Sequence, residues 1–176
     1  MKLTRIKTNH PQYAFVEKLF LDSFPENERR PLEEQRSNTD GNDAFSCYLL
    51  TEEDGLSVGF ITIWDLDSFY YAEHFAVDPS LRNGGYGSRV MQALLKKMDK
   101  PLVLEVELPD NEMSCRRIGF YERQGFRVWS KDYMQPSYRA GGDMLPLYLM
   151  MAGGEDVEPD VQMVKKAIYE KVYGVK

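Results

Sequence analysis

Glycines crowd one short segment, Arg82-Asn83-Gly84-Gly85-Tyr86-Gly87-Ser88, between an apolar run and an amphipathic one. Glycine lets a backbone turn sharply and approach a ligand with no side chain in the way. If a helix opens just after the loop, its free N–H groups and dipole suit a pyrophosphate. Arg82 adds a permanent positive charge at the loop entrance. The plain alternative is a tight glycine turn that holds nothing. Two familiar phosphate loops are excluded by spacing. A Walker loop needs Lys and then Ser or Thr after its last glycine, which this segment lacks. The dinucleotide pattern needs a third glycine three after Gly87, where Val90 stands.

Carboxylates on strand-like segments are the candidate proton acceptors. Glu73 lies in the run Phe69–Val77, and Glu105 and Glu107 lie two apart in Leu102–Leu108, which puts both on one face of a strand. Two like charges on one buried face are costly unless paired or wet. Pairing with Arg116, Arg117 or Arg123, or a place on a polar sheet face, is the structural alternative. Strand alternation places His74 opposite Glu73, as a packed or hydrogen-bonded ring rather than a base. Cys115 beside Arg116 and Arg117 has cations to lower its pKa, but an inert thiol is the simpler reading. Gly119 inside a helical stretch costs about 1 kcal/mol relative to alanine, so close approach by a ligand or backbone is expected there.

The patterning around these residues predicts the scaffold. Leu3–Lys7 alternates as a strand and Tyr13–Phe24 has helical spacing. Pro25–Arg36 is dense in both charge signs and reads as a solvated loop entering a short helix. Strands are predicted at Phe45–Leu50, Val58–Trp64 and Phe69–Val77, where Pro79 ends the last. A helix from the glycine loop runs to about Met98, with Val90, Leu94 and Met98 a turn apart. Pro101 precedes a strand, Leu102–Leu108, and a helix from about Asn111 to Gln124 ends at the cap residue Gly125. Strands at Phe126–Tyr133 and Leu145–Met151 follow, then a closing amphipathic helix over Val157–Tyr173 with Val161, Val164, Ile168 and Val172 on one stripe. The expected fold is a mixed α/β sheet flanked by helices.

At 176 residues, 43% hydrophobic and 28% charged, the chain is expected to fold as one globular domain. A net charge of −6 argues against a general nucleic-acid binder. The N-terminus lacks the apolar core of a signal peptide and no run is long enough to span a bilayer, so a cytoplasmic setting is expected. Cys47 and Cys115 are then expected as reduced thiols, and with His10 and His74 they make no metal set.

The pattern Arg-x-x-Gly-x-Gly over Arg82–Gly87, preceded by Val77-Asp78-Pro79, resembles the acyl-CoA pyrophosphate loop of the GNAT superfamily. Downstream, Phe120-Tyr121-Glu122-Arg123-Gln124-Gly125-Phe126 resembles the family's Phe-Tyr-x-x-x-Gly-Phe signature. The resemblance spans about Val58 to Met151. The Ser23–Pro31 and Leu104–Pro109 segments and the C-terminal extension also look like an uncharacterised bacterial subgroup.

The resemblance implies a GNAT-like, mostly antiparallel sheet whose central parallel strands splay, with residues 1–154 as the acetyltransferase domain and 155–176 as a helical extension packed on it. It implies acetyl-CoA as co-substrate, with Phe75, Ala76 and Val77 meeting the pantetheine arm and Arg82, Asn83, Gly84, Gly85, Tyr86, Gly87 and Ser88 the pyrophosphate. Ser114 stands where many relatives carry an Asn that contacts coenzyme A. Tyr121 would protonate the departing thiolate, and Glu73 or Glu105 would accept the amine proton. The acceptor would be a small-molecule or peptide primary amine, taken by a monomer or homodimer with no nucleic-acid, membrane or metal partner. A non-catalytic acyl-CoA-binding or sensing module on the same fold is the other function class; Tyr121 and Glu73 favour the enzyme.

Overall fold

The computed structural model of the chain describes residues 1–154 and 158–175. Its seven strands form one mixed, mostly antiparallel sheet with one parallel pair, in the order β1-β2-β3-β4-β5-β7-β6. The chain divides into two compact units, residues 1–64 with 72–96 and residues 65–71 with 97–176, so the division crosses β4 after Tyr71.

In the first unit, β1 (Lys2–Ile6), β2 (Phe45–Thr51) and β3 (Ser57–Asp65) run antiparallel, Leu3 facing Leu50 and Leu49 facing Phe60. Helix α1 (Tyr13–Ser23) buries Val16, Leu19 and Phe20. A 3-10 turn, Glu26–Glu28, leads into α2 (Leu32–Gly41), which starts after Pro31 with Glu33 and Glu34 against its dipole. The charge run is therefore ordered, and Arg30 is buried instead of solvated. Strand β4 (Tyr70–Val77) is followed by a 3-10 turn, Pro79–Leu81, and by α3 (Tyr86–Leu95). Helix α3 buries Val90, Met91 and Leu94 and stops short of Met98; Pro101 disfavours helical backbone before it. One sterically forced position escapes sequence reading. A Cβ on Gly59 would overlap the Ala76 carbonyl, so β3 and β4 approach too closely for any side chain there.

In the second unit, β5 (Leu102–Glu107) pairs antiparallel with β7 (Leu145–Ala152), and β7 with β6 (Arg127–Gln135). Val103, Leu104, Val106, Leu149, Met150 and Met151 make the core, as the branched apolar run predicts. Helix α4 (Glu112–Arg123) starts with a reciprocal Asn111–Ser114 capping box and is followed by Gly125 at φ 93°. Helix α5 (Val161–Lys171) is capped by Asp160 and buries Val164 and Ile168. Val157, the expected start of this helix, lies outside the described residues.

Candidate active site

The glycine loop has the geometry an anion needs. Asp78 Oδ1 accepts from Ser80 N (2.8 Å) and Ser80 Oγ (2.6 Å), which fixes the turn leaving β4. Asn83 (φ 66°) and Gly85 (φ 76°) then adopt left-handed backbone, a conformation that glycine reaches freely and asparagine tolerates. This reversal aims Tyr86, Gly87 and Ser88 as the first turn of α3, and no side chain caps that end. Arg82 is exposed, its Nε donating to Val77 O at 3.3 Å. Arg89 lies 5.5 Å from the Tyr86 ring centroid and donates to Glu52 at 2.8 Å. An uncapped helix start beside an exposed guanidinium fits a pyrophosphate. All seven loop residues fall together, as their spacing implies.

Main-chain parity sorts the β4 residues. Asp78 N–H donates to Val58 O, and His74 N–H to Thr62 Oγ1, so even-numbered groups face β3. Phe75 and Val77 therefore turn their peptide groups away from β3, where the Val77 carbonyl accepts from Arg82 Nε. The Ala76 carbonyl instead lies against Gly59 on the β3 side. Ser114 is engaged at the start of its own helix. Its hydroxyl donates to Asn111 O (3.0 Å) and accepts from Asn111 N (3.2 Å), so it caps α4 from a buried position.

The two candidate bases differ sharply. The Glu73 side chain is 0% exposed and Arg30 is 4% exposed; Arg30 Nη2 donates to Glu73 Oε1 and Trp64 Nε1 to Oε2 at 2.9 Å. Burial alone would raise the carboxyl pKa, but Arg30, His74 and Trp64 outweigh it and hold it well below the carboxylate range. A carboxylate so held is a poor proton acceptor. The residue itself is partly exposed, so its open part is the main chain. Contrary to simple alternation, His74 Nδ1 comes within 3.8 Å of Glu73 Oε2. The ring is packed edge-on to Phe20 and Phe24 and its Nε2 lies 3.2 Å from Glu28 O, the packed role expected.

Glu105, on β5, is surrounded by neutral donors. Tyr133 donates to Oε1, and Gln135 and Tyr173 (2.9 Å) donate to Oε2. Burial raises its pKa, with those hydrogen bonds opposing. A carboxylate whose proton affinity is raised suits a general base. Glu107 is different: it is exposed and takes the structural alternative, an ion pair with Arg117. Sequence reading missed Arg30 as the partner of Glu73, and Tyr133, Gln135 and Tyr173 around Glu105. The tyrosine repetition in the last third of the chain was the available signal.

Tyr121 sits on α4 with its ring against Phe120 (5.1 Å) and Phe126 (5.5 Å). Burial pushes its pKa up to about 12, with Arg117 opposing. The phenol therefore carries its proton at neutral pH. Among the described residues no hydrogen bond engages its hydroxyl. Cys115 is an exposed free thiol near Pro109 O (3.5 Å), and burial pushes the Cys47 thiol up to about 12. No other backbone closes on Gly119 among the described residues, a Cβ built there meeting only Arg123 Nη1 at 3.4 Å. Among the described residues no helix is long and apolar enough to cross a membrane.

Comparison with known proteins places this geometry. The acetyltransferase (GNAT) family model matches residues 13–126. A solved structure from Bacteroides thetaiotaomicron, "Putative acetyltransferase from GNAT family", is 47% identical over 100% of both chains with a TM-score of 0.94. "Putative acetyltransferase YjbC" of Bacillus subtilis is 28% identical over 115 residues, 64% of this chain. The match spans 59% of that curated relative's length. The fold is shared by a Vibrio cholerae spermidine N-acetyltransferase solved with CoA and spermine (TM-score 0.65, 12% identity, 85% of this chain and 93% of that one). It is also shared by an aminoglycoside 6'-N-acetyltransferase solved with coenzyme A (TM-score 0.61, 18% identity, 91% and 100%). The glycine loop and Tyr121 both lie inside the matched span, and the chain belongs to the acetyltransferase (GNAT) family.

Proposed function

We propose that the chain transfers the acetyl group of acetyl-CoA to a primary amine by direct attack. The observation that carries this reading is the left-handed turn at Asn83 and Gly85 that presents the uncapped start of α3 beside Arg82. Those N–H groups would hold the pyrophosphate, and the β4 peptide groups at Phe75 and Val77 would hold the pantetheine arm. The amine nitrogen attacks the thioester carbonyl and the C–N bond forms. Its proton passes to Glu105, directly or through one water. The C–S bond then breaks and the thiolate takes the Tyr121 hydroxyl proton.

Glu105 is the better base because burial among neutral donors raises its proton affinity, whereas Glu73 is held ionised by Arg30. Glu73 instead ties the segment before α2 to β4. The test is Tyr121→Phe, which deletes one hydroxyl and keeps the ring. Turnover with an accepted amine should fall about ten-fold or more while acetyl-CoA affinity is unchanged. Wild-type turnover in that variant would remove Tyr121 from the mechanism.

A further inference from the structure

Glu105 is the centre of an arrangement larger than proton transfer alone requires. Each tyrosine hydroxyl has one hydrogen, and those of Tyr133 and Tyr173 are spent on the carboxylate. What these hydroxyls still offer is lone pairs. The Tyr71 hydroxyl lies 3.3 Å from that of Tyr173, and Tyr138 is 3.5 Å away on the other contact. The Tyr138 and Tyr173 rings approach to 4.9 Å between centroids. Gln135, Tyr138 and Tyr173 are each part-exposed while Tyr133 is buried, so the cluster lies just beneath the surface. Among the described residues no Lys, Arg or His pairs with Glu105, whose charge is met by hydroxyl and amide donors alone.

A buried carboxylate without a cation is costly, and a cationic ligand would offset that cost. An ammonium group carries three donors and no acceptor, which is the complement of hydroxyls whose own hydrogens are committed. The tyrosine ring faces add attraction for a cation. An anion would meet Glu105 as a like charge, and an alcohol brings one donor and no charge. The cluster holds one carboxylate among neutral side chains, so it matches a single cationic centre.

The groups around Glu105, unlike Glu105 itself, lie outside the matched span. The glycine loop and Tyr121 fall within residues 13–126, the span the family shares, whereas Tyr133, Gln135, Tyr138 and Tyr173 all lie beyond it. Tyr173 lies two residues past the end of α5, after the cap residue Val172, so the C-terminal helix delivers it.

We propose that Glu105, Tyr133, Gln135, Tyr138 and Tyr173 form the specificity subsite for the acceptor, taking the ammonium end of a monocationic alkylamine, with Tyr173 the residue through which the C-terminal helix sets that preference. This rests on the acetyl-transfer reading for its place in catalysis but not for its binding chemistry. The experiment is calorimetric titration of the full chain with n-butylammonium, butan-1-ol and butyrate. The cation should bind at least about ten-fold tighter than the alcohol, butyrate should not bind, and 1,4-diaminobutane should bind no tighter than n-butylammonium. Tyr173→Phe keeps the ring and removes the hydroxyl; it should weaken the cation about five-fold or more and leave acetyl-CoA affinity unchanged.

Equal binding of alcohol and cation, no binding of the cation, or an unchanged cation affinity in Tyr173→Phe overturns the subsite. If Tyr173→Phe does not fold, the three-ligand comparison on the native chain decides. Amine-dependent release of coenzyme A whose amine KM is unmoved by Tyr173→Phe overturns the subsite and keeps acetyl transfer. Cation binding that is lost in Tyr173→Phe, with no release from any amine, keeps the subsite and removes acetyl transfer.

Discussion

Changing Glu73 to Gln separates a structural carboxylate from a catalytic one. The substitution keeps shape and an acceptor for Trp64 Nε1, but it removes the negative charge beside the Arg30 guanidinium, whose side chain is 4% exposed. Breaking one side of a buried ion pair costs about 3–5 kcal/mol. Arg30 also lies 5.2 Å from the Trp64 ring centroid and 5.9 Å from that of Phe45, which keep some stabilisation for the cation. The lower end, about 3 kcal/mol, is therefore expected. For a chain of this size that lowers Tm by about 6–12 °C, measured by thermal denaturation at pH 7. The double variant Glu73→Leu with Arg30→Met should recover part of the loss, since two apolar groups leave no buried charge. The pH dependence follows from the depressed Glu73 pKa. The pair's contribution is present above the unfolded carboxylate pKa of about 4.3 and is lost as pH falls below it. A Glu73→Gln variant with wild-type Tm and a flattened pH–rate profile would refute this assignment and restore Glu73 as the base.

Gly87→Trp should abolish acetyl-CoA binding by filling the start of α3, read by calorimetry; unchanged affinity would move the donor site elsewhere. Glu105→Gln should remove the rising limb of kcat/KM with pH. Because the Glu105 pKa is raised, that limb should sit above the ordinary carboxylate range, with activity gained as pH climbs through it. A limb that survives in Glu105→Gln assigns the proton to another group.

Much of the scaffold is legible because periodicity and punctuation agree. Pro79 and the glycines bracket the loop, Gly125 closes α4, and the apolar run of β5 marks a buried strand. Side-chain partnership is less legible because it is set by tertiary packing. The run from Pro25 to Arg36 reads as solvated, yet Arg30 is buried across 43 residues against Glu73. Glu105 and Glu107 look equivalent at a spacing of two, but β5 ends at Glu107, leaving it exposed to Arg117 while Glu105 is enclosed by tyrosines. Ser114 reads as a ligand position, and only the fold shows that its hydroxyl both donates to and accepts from the Asn111 main chain. Local pattern shows where a residue lies along the chain, and distant partners decide what its charge does.

The most direct measurement is release of coenzyme A thiol from acetyl-CoA across a panel of primary amines, with mass spectrometry of the acceptor. The account predicts amine-dependent release with one N-acetyl group gained per thiol freed, and loss of both signals in Gly87→Trp. Acetyl-CoA binding with no amine-dependent release from any member of the panel would contradict it and leave an acyl-CoA-sensing module.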